Sequence, residues 1–203
     1  MKLIVITTET FFEGEVEAIN LLFENGLEAL HVRKPYATRE ETEIFIGQIR
    51  KNFHARIVIH DYYELTKLFD LKGIHLNSRN QEASSASPSL STSLSCHSLE
   101  EVVESQLCDY VFLSPIFDSI SKVGYKQGFT PEQLNEAKVR KIINDRVIAL
   151  GGITTENIPM VYSYGFGGVA ILGALWSGFV VNWDVSELLI RFNDLKIKCN
   201  MFV

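Results

Sequence analysis

Arg33 and Lys34 close a short apolar run, Ala29 to Arg33, and set a guanidinium beside an ammonium where the chain leaves an extended segment. Such a pair is suited to phosphate or pyrophosphate oxygens, though two adjacent cations can also be a solvated loop. The next run, Ile57 to His60, ends at Asp61. A carboxylate there can hold Mg2+, which takes oxygen ligands and keeps several waters, or it can cap the helix that starts at "YYELTKL". Further on, "FLSPIFDSISK" begins as a buried strand and turns into a polar stretch carrying Ser119 and Lys122. In "ALGGITTEN", Gly151 and Gly152 let the backbone approach a ligand closely, and Thr154 or Thr155 then caps a helix. The alternative is that the two glycines serve only a tight turn. A second glycine-bearing loop, in "GFGGVAILGAL", includes Gly173.

His31, His60 and His97 lie near the ends of runs, where an imidazole titrating near neutrality can act as general acid or base. His75 in "GIHLN" sits mid-strand and reads as a buried, hydrogen-bonded residue, whereas His54 lies in a helix-to-strand connection and reads as solvent-facing. Cys96 and His97 are adjacent on a strand and point to opposite faces, which disfavours a Cys-His nucleophile.

These residues share one setting. Short β-branched runs alternate with helical patterns, the signature of βα units around a parallel sheet. Strands are expected at Leu3 to Thr7, Ala29 to Arg33, Ile57 to His60, Gly73 to Leu76, Ser91 to Ser95, Tyr110 to Leu113, Val147 to Leu150 and Gly168 to Leu172. Between them, Val16, Ile19, Leu22 and Phe23 form one helical face that closes at Gly26. Thr38 with Glu41, and Ser98 with Glu101, read as capping boxes, and Thr130 caps a helix with Pro131 at its first position. "TTENIPMVYSYG" and "NWDVSELLIRFNDLKIK" supply the last two helices. The serine-rich stretch before the fifth strand, within residues 84–95, carries too little apolar content for an amphipathic helix. The expected architecture is α/β: a compact (β/α)8 TIM barrel over residues 1–203 as a single domain, with the helix after strand four short or missing. An open doubly wound sheet is the rival.

Composition sets limits. The net charge of −6 disfavours a nucleic-acid partner, which needs a basic surface. Three cysteines without CxxC spacing indicate neither a disulfide framework nor a zinc site and fit a reduced, cytoplasmic setting. The apolar run at the N-terminus is too short for a signal peptide, and no stretch reaches the roughly 18 apolar residues of a membrane span. The composition does not fix the oligomeric state.

In order, "LHVRKP", "IVIHD", "KGIHLNSRN", "LSCHSLEE", "CDYVFLSPIFDSISK", "ALGGITTENI" and "GFGGVAILGAL" resemble the thiamine phosphate synthase and TenI superfamily across nearly the whole chain. The resemblance implies a (β/α)8 barrel in thiamine biosynthesis. Its synthases join hydroxymethylpyrimidine diphosphate to a thiazole phosphate and release pyrophosphate with Mg2+. By that resemblance Arg33 contacts the diphosphate, Asp61 is a Mg2+ ligand, and Ser95 lies in the pyrimidine and diphosphate region. Ser119 and Lys122 reach phosphate, and Gly151 and Gly152 hold the thiazole phosphate. The pattern differs in places: His31 and Pro35 stand where synthases have glutamine and a second basic residue, with Lys34 as a substitute cation. His60 replaces an asparagine, and Asn80 replaces the second metal carboxylate, although its oxygen can still coordinate. The sister activity, TenI-type thiazole tautomerisation, needs neither metal nor diphosphate. Pro115 stands where tautomerases have histidine, so His31 or His60 would have to serve. A third reading is a non-catalytic binder of thiazole phosphate.

Overall fold

The computed structural model describes residues 1–77, 89–118 and 127–202. Its strands are β1 (Lys2–Ile6), β2 (Ala29–Val32), β3 (Ile57–Ile59), β4 (Gly73–Leu76), β5 (Ser91–Cys96), β6 (Tyr110–Leu113), β7 (Val147–Leu150) and β8 (Gly168–Ile171). All pair in parallel and in chain order, and β1 meets β8 through Lys2 opposite Gly168, so the sheet closes into a barrel. The open-sheet alternative is thereby excluded. The helices are α1 (Glu15–Glu24), α2 (Arg39–Gln48), α3 (Leu65–Phe69), α4 (Leu99–Glu104), α5 (Pro131–Val139), α6 (Ile158–Ser163), α7 (Gly173–Asn182) and α8 (Val185–Asn200), with a 3-10 turn at Lys51–Arg56. The expectation of a short or missing helix after β4 falls mainly on residues 78–88, outside the described residues.

Period-two alternation separates two faces on each strand. Outward residues such as Val5, Leu30, Ile59, Ile74, Val111 and Val169 join the helices in one apolar core. Each such fully buried side chain contributes roughly 1.5–3 kcal/mol over exposure, which is what holds the helical ring on the barrel. The inward face is divided. β1, β6, β7 and β8 turn Ile4, Ile6, Phe112, Ile148 and Ala170 into the barrel, while the strands from β2 to β5 contribute the buried polar side chains His31, His75 and Ser93, with His60 just past β3.

Capping chemistry follows the sequence at two helices. Thr38 with Glu41 and Thr130 with Gln133 make reciprocal capping boxes. At α4 the Ser98 hydroxyl accepts from the Glu101 N–H, but the Glu101 carboxylate reaches one residue further and accepts from the His97 N–H. Two expectations need correction. The helix after β7 is not capped by a threonine: Asn157 is the cap, its side chain accepting from the Thr154 N–H at 2.9 Å and donating to the Gly152 carbonyl at 2.8 Å. His54 does not face solvent: it is 6% exposed, with Nε2 2.9 Å from the Ile49 carbonyl and its ring edge-on to Phe69. The turn of Lys51–Arg56 folds back under α2 and leaves this imidazole a backbone acceptor in place of water.

The stretch "GALWSGFVVN" forms α7, which the sequence pattern did not reveal. Apolar residues lie on several of its sides, so no helical stripe stands out. Trp176 is the reason it docks: the ring is buried, its Nε1–H donates to the Ile6 carbonyl at 2.8 Å, and Phe12 packs edge-on against it.

Candidate functional site

The inward polar residues converge into one hydrogen-bonded group. β2 points His31 inward, and its Nδ1 lies 3.0 Å from Nε2 of His60, which follows β3. His31 Nε2 lies 2.7 Å from the Tyr110 hydroxyl at the start of β6. His75 on β4 stacks on His60 with ring centroids 4.1 Å apart, and its two nitrogens lie 2.8 Å from the Ser93 and Ser95 hydroxyls of β5. All three imidazoles are buried. Burial holds His31 well below the ordinary imidazole range, and the charge of Lys72 adds to it. It takes His75 to about 3, helped by Arg33. Both are therefore neutral near pH 7, and one must donate where its neighbour accepts. Burial also pushes the Tyr110 hydroxyl up to about 12, so it stays protonated.

His31 and His60 were expected nearer the rim; both lie instead in the barrel interior, because alternation on β2 and the end of β3 turns them inward. His75 is the buried, hydrogen-bonded residue its place in the strand suggests. His97 is exposed, with Nδ1 3.1 Å from the Ser114 carbonyl. Ser95 is half-buried, and Asp61 is half-buried where β3 leaves the barrel. Tyr110 and Ser93 escaped the sequence reading, although the alternation that turns His31 inward assigns them the same face.

Arg33 remains partly exposed at the end of β2. Its guanidinium donates to Glu9 Oε1 at 2.7 Å, and its backbone is tied to Thr7 by two hydrogen bonds. Lys34 needs correction as a phosphate-gripping or catalytic cation. Its side chain is 1% exposed, and its ammonium donates to both Glu15 oxygens at 2.7 Å and to the Thr10 carbonyl at 2.9 Å. It also lies over the Phe11 and Phe45 rings. Burial shifts both partners toward neutrality, Glu15 up and Lys34 down, and their mutual attraction opposes this. The lysine thus holds the β1 loop and α1 against β2, with its three donors already engaged.

Gly151 and Gly152 sit at positive φ, 96° and 64°. A Cβ on Gly152 would fall 2.2 Å from the Asp118 carbonyl oxygen, and one on Gly151 would fall 2.9 Å from Pro115. The close approach they permit is therefore to the loop after β6, which is further secured by Ile116 N–H to the Leu150 carbonyl and Phe117 N–H to the Gly151 carbonyl. That loop is pinned where it leaves the described residues and where it returns. Asp118 Oδ1 accepts from the Gln127 N–H at 2.7 Å, and the Pro115 carbonyl accepts from the Gly128 N–H at 2.8 Å. Ser119 and Lys122, and likewise Asn80, lie outside the described residues. Gly173 opens α7, whose N-terminus no side chain caps.

A family model described as thiamine monophosphate synthase matches residues 3–175. The chain is 26% identical over 191 residues to a thiamine-phosphate synthase of Bacteroides fragilis, covering 86% of this chain and 92% of that protein. It is 27% identical over 199 residues to the thiamine-phosphate synthase of Pyrococcus furiosus, covering 93% of each. Among solved structures, a thiamine phosphate pyrophosphorylase of Bacteroides thetaiotaomicron superposes with a TM-score of 0.89 at 40% identity, over 99% of this chain and 98% of that one.

Proposed function

The chain belongs to the thiamine monophosphate synthase family, and from that premise we propose that it works in thiamine biosynthesis as a transferase joining hydroxymethylpyrimidine diphosphate to thiazole phosphate with release of pyrophosphate. The observation that carries this reading is the 40% identity along the whole chain to the Bacteroides thetaiotaomicron pyrophosphorylase. As the bond to the pyrimidine methylene breaks, negative charge gathers on the leaving pyrophosphate, and cations or N–H donors placed there lower the barrier. Arg33, partly exposed and able to exchange Glu9 for a diphosphate oxygen, supplies the guanidinium. Ser95 offers a hydroxyl at the mouth, and Ser119 and Lys122 would add a hydroxyl and an ammonium from the β6 loop. Gly151, Gly152 and Gly173 present backbone to the thiazole phosphate. Lys34 has no part in this, since Glu15 and Thr10 hold its ammonium.

Mg2+ fits poorly among the described residues. Asp61 brings one carboxylate, and the group of His, Cys, Asp and Glu side chains that comes together among the described residues consists of imidazoles, which Mg2+ does not favour. Within the described residues no helix is long and apolar enough to cross a membrane, and the free cysteines suit the cytoplasm.

Incubating purified protein with both substrates, with a known synthase alongside, tests the reading. Thiamine phosphate and pyrophosphate should appear in equal amounts; no product under conditions where the control works refutes it. Thiazole tautomerisation is the second reading, favoured by the close His31 and His60 pair. It requires proton exchange on the thiazole phosphate that is lost in His31→Ala or His60→Ala.

A further inference from the structure

Six side chains inside the barrel form one unbroken line of hydrogen bonds. His60 Nε2 lies 3.0 Å from His31 Nδ1, and His31 Nε2 lies 2.7 Å from the Tyr110 hydroxyl. Tyr110 in turn meets the hydroxyl of Ser93, its partner across the β5 and β6 pairing. Ser93 Oγ lies 2.8 Å from His75 Nδ1, and His75 Nε2 lies 2.8 Å from Ser95 Oγ at the mouth end of β5. Resting on the synthase reading of the site, we infer that this line is a directional relay in which His31, Tyr110, Ser93 and His75 are positioning residues. Together they point the Ser95 hydrogen outward, so that it donates to the leaving diphosphate.

A neutral imidazole carries one N–H and one bare nitrogen, and a hydroxyl carries one hydrogen. Burial keeps His31 and His75 neutral, and Tyr110 keeps its proton. Each link therefore has a single donor, and the choice at one link imposes the choice at the next. Ser95 is free to donate outward only when His75 Nε2 carries the N–H. His75 Nδ1 is then bare and accepts from Ser93, Ser93 accepts from Tyr110, Tyr110 accepts from His31 Nε2–H, and His31 Nδ1 accepts from His60 Nε2–H. In the opposite arrangement the Ser95 hydrogen is committed to His75, and only lone pairs face the anion. Passing from that arrangement to the first moves one hydrogen along every link toward His60, with one proton taken up by Ser95 and one released from His60 Nδ1. Water is source and sink, and no side chain is left charged.

His31, His75 and Ser93 are fully buried. A link with two hydrogens or two lone pairs facing each other finds no water to compensate it, which makes the coupling strict. The other acceptor within reach of Ser93, the Ile74 carbonyl, is 3.3 Å away against 2.8 Å for His75. His75 is stacked between His60, at 4.1 Å, and Phe112, at 4.9 Å, so its ring is held against flipping and direction changes by hydrogen transfer. As the leaving diphosphate gains charge it strengthens the bond from Ser95 and, through it, each link behind. That gain arises in the transition state and belongs in kcat.

Protein with nitrogen-15 histidine tests this by NMR at pH 7 with inorganic pyrophosphate, the ring nitrogen shifts reporting each tautomer. In the complex His31, His60 and His75 should all carry hydrogen on Nε2. In Tyr110→Phe, which keeps the ring and touches no ligand, pyrophosphate should no longer set the His31 tautomer. Ser93→Ala breaks the line on the other side of Tyr110 and should free His31 in the same way, which provides a second variant. With both substrates each variant should lose about two- to tenfold in kcat, the worth of one hydrogen bond, at unchanged KM for the diphosphate. Hydrogen on Nδ1 of any of the three rings in the complex, no pyrophosphate binding, a His31 response that survives in a folded variant, or a loss seen only as raised KM or lower melting temperature each overturns the inference. Product formed by the wild type alongside any of these results leaves the synthase reading standing and the relay refuted. No product, where a known synthase works, refutes that reading and with it the role of Ser95.

Discussion

Replacing Lys34 by methionine tests whether that cation serves the fold or a ligand. Methionine keeps an apolar stem beside Phe11 and Phe45 and removes the charge. Glu15, 1% exposed, would then retain only the Thr8 hydroxyl at 3.5 Å as a side-chain partner. Removing one member of a buried pair costs about 3–5 kcal/mol, since the remaining charge stays desolvated. Against a total stability of about 5–15 kcal/mol, that is a large fraction. The loss should be smaller at pH 5 than at pH 7, because burial already pushes the Glu15 carboxyl up and a proton can replace the missing ammonium. Exchanging both partners, Lys34→Met with Glu15→Leu, should recover most of the loss, because apolar residues tolerate the site that a lone charge does not. Urea unfolding of the two variants and the wild type measures each quantity. A loss under about 1 kcal/mol, the range of an exposed pair, would refute the reasoning. So would an unchanged midpoint with a raised KM for the diphosphate substrate, which would put the ammonium on the ligand.

The buried imidazoles predict an acid limb in stability. The unfolded chain protonates His75 near 6.5 while the fold delays it to about 3, so across that window the unfolded state binds the extra proton and stability falls as pH falls. The full span corresponds to about 5 kcal/mol, and His31 acts in the same direction. His75→Gln should flatten the limb by about one proton; an unchanged slope in pH-dependent urea unfolding would count against the cluster. Gly152→Ala combines a φ of 64° with a Cβ 2.2 Å from the Asp118 oxygen, and should cost about 1–3 kcal/mol and weaken thiazole phosphate binding, read by melting and calorimetry. An unaltered melting temperature would show that the two loops are not in contact. Arg33→Ala should raise the KM for the diphosphate substrate about tenfold or more, since a hydrogen bond to a charged group is worth about 1.5–3 kcal/mol, with little effect on stability because its Glu9 partner is partly exposed. An unchanged KM would remove Arg33 from the site.

The contrast between Arg33 and Lys34 shows where sequence reasoning succeeds in this barrel and where it stops. Both basic residues follow β2, and adjacency in sequence suggested a common role. Yet Arg33 stays at the mouth, while Lys34 meets Glu15, which lies 19 residues away in sequence on α1. Alternation puts Val32 and Lys34 on the helix-facing side and His31 and Arg33 on the other, but which partner Lys34 meets there is decided by where α1 docks. Strand positions, in contrast, were legible because each β-branched run must bury its outward face, and the Thr38 capping box was legible because its partners are three residues apart, whereas the box expected at Ser98 stays open because Glu101 turns to the His97 N–H. The histidine cluster falls between these cases. Alternation on β2, β4 and β5 assigns His31, His75, Ser93 and Ser95 to the inward face, but only parallel pairing in chain order brings them to one level. His75 opposite Ser93 on β5 and His31 opposite Val58 on β3 are statements of register, and register needs the closed barrel. A polar residue read as a rim acid or base from its strand position alone can therefore prove to be an interior hydrogen-bond partner. In this chain the inward polar half of the barrel is where a substitution should alter binding chemistry without altering the outer apolar core.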